Sequence, residues 1–173
     1  MKKTAMVYWL LPAKPERELF CEVIRILRKG FRAPNFEPHL TLFVTTKDRQ
    51  PASKVLRQIR SRPIRLEVRG VAHSPKFTKT LFARFKSNSA LRKLVTELGR
   101  ATSSSPKSPA DPHMSLLYKK MPRGIRKELA AAIKLPVRSV RLDSIAAVRL
   151  NLPVRTDADV ESWRIVASRK LSS

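Results

Sequence analysis

Apolar positions in this chain recur with two periods, and the switches between them divide it into elements. Ala5 to Leu11 is a short apolar run rich in β-formers and stopped by Pro12, the pattern of a buried strand. From Pro15 and Glu16 the spacing becomes helical, with Leu19, Val23, Ile26 and Leu27 on one face and Gly30 as the expected stop. A strand is predicted over His39 to Thr45, then a helix from Pro51 through Arg60 on Val55, Leu56 and Ile59. Ile64 to Val71 alternates, with Ile64, Leu66, Val68 and Gly70 opposed by Arg65, Glu67 and Arg69, so an amphipathic strand is expected. Thr80 to Phe85 reads as a strand and Ala90 to Arg100 as a helix on Leu91, Leu94, Val95 and Leu98. Thr102 to Pro112, dense in Ser and Pro, reads as an exposed loop. A strand then covers His113 to Tyr118, and a helix follows from Arg123 with Ile125, Leu129 and Ile133 stacked. Strands at 137–142, 144–150 and 163–170 close the chain. Helix, strand and helix occur in that order twice, which predicts two repeats of one α+β unit.

Both repeats carry the same polar insertion. Pro38-His39-Leu40-Thr41-Leu42 and Pro112-His113-Met114-Ser115-Leu116 share the frame Pro, His, apolar, hydroxyl, Leu, and they hold two of the three histidines in the chain. On a strand, alternate side chains share a face, so His39 points with Thr41 and His113 with Ser115, while Leu40, Leu42, Met114 and Leu116 point into a core. Two such strands side by side bring two imidazoles and two hydroxyls into one pocket. That set suits cleavage of a phosphodiester. A neutral imidazole takes a proton from water and a protonated one gives a proton to the departing oxygen. The hydroxyls hydrogen-bond the phosphoryl oxygens as charge builds on them. His73, without matching neighbours, is read as a loop residue outside this chemistry.

Composition narrows the setting. At 173 residues with 42% hydrophobic content the chain is expected to form a single globular domain over 1–173, and a monomer is expected. No stretch has the roughly 18 apolar residues of a membrane span. The run after Lys2-Lys3 lacks a small-residue cleavage site, so a first strand, no signal peptide and cytoplasmic residence are expected. A single cysteine, Cys21, excludes an intramolecular disulfide and is read as a small buried apolar group. Dispersed histidines do not supply a zinc site, so neither metal nor cofactor is expected. The 37 basic against 13 acidic residues give a net charge of +24, which favours anionic partners and includes possible RNA contact through the basic surface.

The two His-x-Thr/Ser motifs resemble those of the 2H phosphoesterase superfamily. Trp9-Leu10-Leu11-Pro12, Ser115-Leu116-Leu117-Tyr118 and Glu161-Ser162-Trp163 extend the likeness toward its cyclic phosphodiesterase branch. The resemblance implies a bilobal α+β fold: two pseudo-symmetric lobes of antiparallel sheet, helices outside, the active cleft between. It implies metal-independent hydrolysis of a 2′,3′-cyclic phosphate, on a nucleotide or an ADP-ribose-type cyclic phosphate, to a phosphomonoester. His39 and His113 are then the acid–base pair, Thr41 and Ser115 hold the phosphate, and Trp9 and Tyr118 are substrate-binding aromatics. Which histidine is the base depends on which ester bond breaks. The charge brings in the sister branch, 2′-5′ RNA ligase-like enzymes that open cyclic phosphates on RNA ends, with Lys76, Lys79, Lys119, Lys120 and Arg123 in loops that could border the cleft. A non-catalytic RNA- or nucleotide-binding module is the remaining alternative.

Overall fold

The computed structural model describes residues 1–47 and 49–172. Seven strands and five helices follow one another as β1 (Lys3–Pro12), α1 (Glu16–Phe31), β2 (Leu40–Thr45), α2 (Ala52–Arg57), β3 (Ile64–His73), β4 (Leu81–Phe85), α3 (Ser89–Ala101), β5 (His113–Leu117), α4 (Arg123–Ala132), β6 (Ser139–Leu152), α5 (Asp157–Glu161) and β7 (Arg164–Lys170), with a 3-10 turn at Phe77–Lys79 before β4. This is the expected α+β class.

All the strand pairings are antiparallel, in the order β1-β2-β5-β4-β3-β6-β7, with β1 also bonded to β6. Strand β6 belongs to two halves. Its start, Ser139–Leu142, pairs with β3, and Leu142–Leu152 pairs with β1 while Ser144–Arg149 pairs with β7. The halves β7-β6-β1-β2 and β6-β3-β4-β5 meet again at the other side through β2 and β5, which share the single pair Leu40↔Met114. These are the two related lobes.

Helices cover one face of the sheet, and the main core lies beneath them, built on Leu10, Phe20, Leu40, Leu56, Leu81, Leu94, Met114 and Leu142 among others. Helix α1 buries Phe20, Ile24 and Leu27, while Ile26, expected on that face, is 57% exposed. Its acidic first turn (Glu16, Glu18) and basic last turn (Arg28, Lys29) complement the helix dipole. Gly30 does not end it. The helix runs on so that Phe31 packs against the core, and Arg32 turns the chain at φ 52°. Helix α2 stops at Arg57, short of Arg60, because the Glu97 carboxylate of α3 captures the backbone N–H groups of Arg60 and Ser61. Helix α3 is capped by Asn88, whose Oδ1 accepts from the Leu91 amide. In α4 the buried residue is Arg126, and Ile125 lies 42% exposed, so the packed face is Arg126, Leu129, Ala130 and Ile133.

Four further expectations change. A bulge between Val68 and Gly70 breaks the alternation of β3, so Val68 pairs with Phe85 and Gly70, at φ +119°, pairs with Arg84. His73 ends β3 rather than standing in a loop, and Cys21 is half-buried. The two strands expected either side of Asp143 are one continuous strand, because β1 pairs with both Leu142 and Ser144 across it and the Asp143 carbonyl anchors the end of β7 through the Leu171 amide. Within the Ser- and Pro-rich segment, Pro106 packs so closely on α3 that a Cβ at Gly99 would lie 2.6 Å from its ring. Among the described residues no helix is long and apolar enough to cross a membrane.

Leu40 and Met114 are both fully buried at the junction of the halves. Leu40→Ala is expected to lower unfolding free energy by about 2–5 kcal/mol, measured by denaturant titration.

Candidate active site

The pair Leu40↔Met114 sets the geometry of the cleft. One residue to either side, on the opposite face, antiparallel pairing puts His39 across from Ser115 and Thr41 across from His113. All four line one cavity of about 270 Å³ with Trp9, Thr78, Tyr118, Trp163 and the aliphatic side chains of Val7, Val44, Leu150 and Leu152. The sequence-predicted residues His39, Thr41, His113, Ser115, Trp9 and Tyr118 are therefore brought together.

Each imidazole is held the same way. His39 Nδ1 donates to the carbonyl of Glu37 at 2.6 Å, and His113 Nδ1 donates to the carbonyl of Asp111 at 3.2 Å. A carbonyl only accepts, so Nδ1 carries the hydrogen in both rings and Nε2 is left for the cleft. The acidic side chains at these positions are themselves held. Arg17 Nε reaches Glu37 at 2.8 Å and Arg84 Nε reaches Asp111 at 3.1 Å. The shared frame thus begins one residue earlier than the prolines, with an acidic residue two before each histidine.

The surroundings of the two rings differ. His39 is stacked flat on Trp9, with ring centroids 3.7 Å apart, and meets the edges of Trp163 and Phe36. Burial drives its pKa down to about 4, the Glu37 carbonyl opposes this, and the charge of His113 adds to it. His113 meets the edge of Phe82. Burial lowers its pKa as well, the Asp111 carbonyl raises it, and Lys79 pushes it down while the Asp111 carboxylate pulls it up.

The hydroxyls also differ. Thr41 is half-buried on the cavity wall. Ser115 is buried, and its Oγ donates to the Thr78 carbonyl at 3.0 Å, so its hydrogen is already committed. Tyr118 is buried against Phe36, Phe77 and Trp163, and burial, against a hydrogen bond with Ser115, raises its phenol well above the usual range, so it stays protonated. One face of Trp9 is occupied by His39.

Of the five basic residues considered at the cleft border, Lys79 lies beside His113, 3.6 Å from Asp111 and 4.5 Å from the Phe82 ring centre. Lys119 instead donates to the Arg32 carbonyl, and Lys76, Lys120 and Arg123 are exposed and outside the cavity lining. Sequence reasoning did not assign Trp163, Thr78, Phe82 or the aliphatic wall to the site. Trp163 is set in place by α5, whose capping box, Thr156 with Asp159, was readable as a Thr-x-x-Asp signal. No group of three or more His, Cys, Asp or Glu side chains that could hold a metal ion occurs among the described residues.

Known proteins show the same architecture. A crystal structure of a phosphoesterase is similar over 98% of this chain and 99% of its own, with 16% identity and a TM-score of 0.58. Escherichia coli LigT complexed with 3′-AMP matches with 15% identity and a TM-score of 0.58 over 98% of this chain and 99% of its own. The protein TT0787 of Thermus thermophilus matches with 18% identity and a TM-score of 0.55 over 96% of this chain and 97% of its own. These likenesses concern the fold. No curated protein matches the sequence significantly. The family model of the 2′-5′ RNA ligase superfamily matches residues 13–152, which include both histidine motifs, and the chain accordingly belongs to that superfamily of 2H phosphoesterases.

Proposed function

We propose that this protein is a phosphodiesterase that hydrolyses a 2′,3′-cyclic phosphate to a phosphomonoester, with His39 as general base, His113 as general acid and no metal in the reaction. The observation that carries the reading is the β2–β5 pairing, which sets two Nδ1-anchored imidazoles and two hydroxyls on one cavity wall. Membership of the superfamily supports an enzyme of the 2H type acting on phosphoesters. That a similar fold binds 3′-AMP supports a nucleoside phosphate as ligand.

In the proposed step, water attacks phosphorus as its proton passes to His39 Nε2. The bond from phosphorus to one ribose oxygen breaks, and His113 Nε2 gives its proton to that oxygen. The roles follow from the surroundings. Stacking and burial keep His39 neutral, as a base must be. His113 sits beside the Asp111 carboxylate, which favours its protonated form, and an arriving phosphate anion favours it further. Thr41 is assigned the main hydroxyl contact to the phosphoryl oxygens, because the Ser115 hydrogen must first leave the Thr78 carbonyl. Trp9 is assigned to positioning His39, and Tyr118 and Trp163 border the substrate.

A second reading, the same chemistry on an RNA end, is favoured by the net charge of +24. Turnover of a mononucleotide 2′,3′-cyclic phosphate against an oligoribonucleotide with the same end separates the two, and a 2′- or 3′-phosphate product assigns the bond broken.

His39→Ala and His113→Ala are each expected to lower kcat by about 10²-fold or more, and activity within a few-fold of wild type in both would exclude the assignment. Since His39 must be neutral and His113 protonated, kcat/KM is expected to fall below a pH near 4 and again above a limb that lies under 6.5. A bell centred above pH 7 contradicts the assigned roles. Thr41→Val is expected to cost about 10²-fold in kcat and Ser115→Ala clearly less, checked by steady-state kinetics.

A further inference from the structure

The two halves of the site repeat each other strand by strand. Trp9 pairs with Thr41 and Leu10 with Leu40 on β1 and β2, as Phe82 pairs with Ser115 and Ala83 with Met114 on β4 and β5. Trp9 and Phe82 are therefore equivalent, and each supports the imidazole of its own half. One step further along, His113 is paired with Arg84, whereas the β1–β2 pairing ends at Leu10 and Leu40 and the next residue of β1 is Leu11. What the halves share is the acid–base machinery. Where they differ, the difference is directional.

On the His39 side Glu37 is matched by a single cation, Arg17, and the neighbouring wall is aliphatic and aromatic. Leu11 packs with Val7, Trp9, Val148, Leu150, Leu152 and Trp163, and Val44 is 43% exposed on the cavity wall. On the His113 side, two cations converge on one carboxylate. Arg84 Nε is 3.1 Å and Lys79 Nζ 3.6 Å from Asp111, so among the described residues two cations share one carboxylate and leave one positive charge in excess. Lys79 is held over the face of Phe82, and the 3-10 turn that carries it also supplies Thr78 to the cavity. The strand neighbour of Arg84 is Gly70, where an added Cβ would meet nothing within 4 Å. The surface beside Arg84 is open, and the guanidinium is partly exposed to it.

We infer that Arg84 and Lys79 form a subsite for a second phosphate, on the far side of the ribose from the scissile one, while the aliphatic and indole wall of the other half receives the nucleoside. Asp111 remains in the subsite, its backbone carbonyl accepting from His113 Nδ1 and its carboxylate holding both cations. The second phosphate is either a terminal 5′-phosphate or the phosphodiester joining the nucleotide to a longer chain. This inference rests on the cyclic phosphodiesterase reading, because that reading places the scissile phosphate between the histidines.

The test separates the two. Binding of 3′-AMP and of adenosine 3′,5′-bisphosphate is followed by quenching of Trp9 and Trp163 fluorescence at low salt, which needs no turnover. The bisphosphate is expected to bind about tenfold or more tighter than 3′-AMP to the wild type, and the ratio is expected to fall to near unity in the Arg84→Gln, Lys79→Gln double variant. Arg84→Lys, which keeps the charge, should retain part of the preference. Equal binding of the two ligands by the wild type, or a preference that survives in the double variant, overturns the subsite and leaves the reaction intact. A preference lost as fully in Arg84→Lys as in Arg84→Gln overturns it too, in favour of a role in placing Asp111. If neither these ligands nor their 2′-phosphate counterparts bind, the cyclic phosphodiesterase reading fails and the subsite with it. Relative kcat/KM for cyclic phosphates with a 5′-hydroxyl, a 5′-phosphate and a 5′-linked nucleotide then tells a terminal phosphate from a chain phosphodiester.

Discussion

The site depends on one backbone contact, the antiparallel pairing of β2 and β5 at Leu40 and Met114. Both side chains go to the core, and because strand side chains alternate, the residues on either side of each face the cleft. A slip of one residue would bury the imidazoles and turn Leu40 and Met114 outward. The apolar centre of each motif is thus what holds the polar residues in register, and the chemistry shares its energetics with the fold. The long strand β6 closes the opposite side by pairing with both halves, so the angle between the two histidine strands is fixed at both ends.

Symmetry in the backbone does not give symmetry in proton affinity. Both imidazoles are tied through Nδ1 to the carbonyl two residues earlier, yet one is enclosed by Trp9, Trp163 and Phe36 and the other lies near Asp111, Lys79 and Arg84. Burial in an aromatic cage disfavours the charged ring, whereas an adjacent carboxylate favours it. Two groups of one type can serve as acid and base only when held in different protonation states, and unequal surroundings supply that.

Much of this was legible in the sequence for a physical reason. The paired His frames fix side-chain direction through strand alternation, so His39 shares a face with Thr41 and His113 with Ser115, while their convergence depends on the pairing of the two strands. Hydrophobic periodicity located the larger helices and most strands. It failed where long-range contacts decide the outcome. Gly30 is a local stop signal, but packing of Phe31 carries α1 past it to Arg32. The bulge in β3 is an event between strands, and the continuity of β6 through Asp143 depends on β1 running along its edge. Trp163 lies far from both motifs in sequence and reaches His39 only because α5 and β7 fold back over β1 and β6.

The positive charge of the whole chain does not by itself explain the site. Exposed charges spread over a surface are screened within about 10 Å at 0.1 M salt, so most of the 37 basic residues act on encounter rather than on the bound substrate. What acts on an anion bound beside His113 is the local imbalance, and it is small: Arg84 and Lys79 against Asp111. An excess of one positive charge there is enough to attract an anion without holding His113 permanently neutral, because the Asp111 carboxylate offsets part of the field at the ring. A larger local excess would bind phosphate more tightly and leave less of His113 protonated. The carboxylate two residues before His113 therefore does two things: its backbone carbonyl orients the ring, and its side chain limits how much cationic charge the ring experiences.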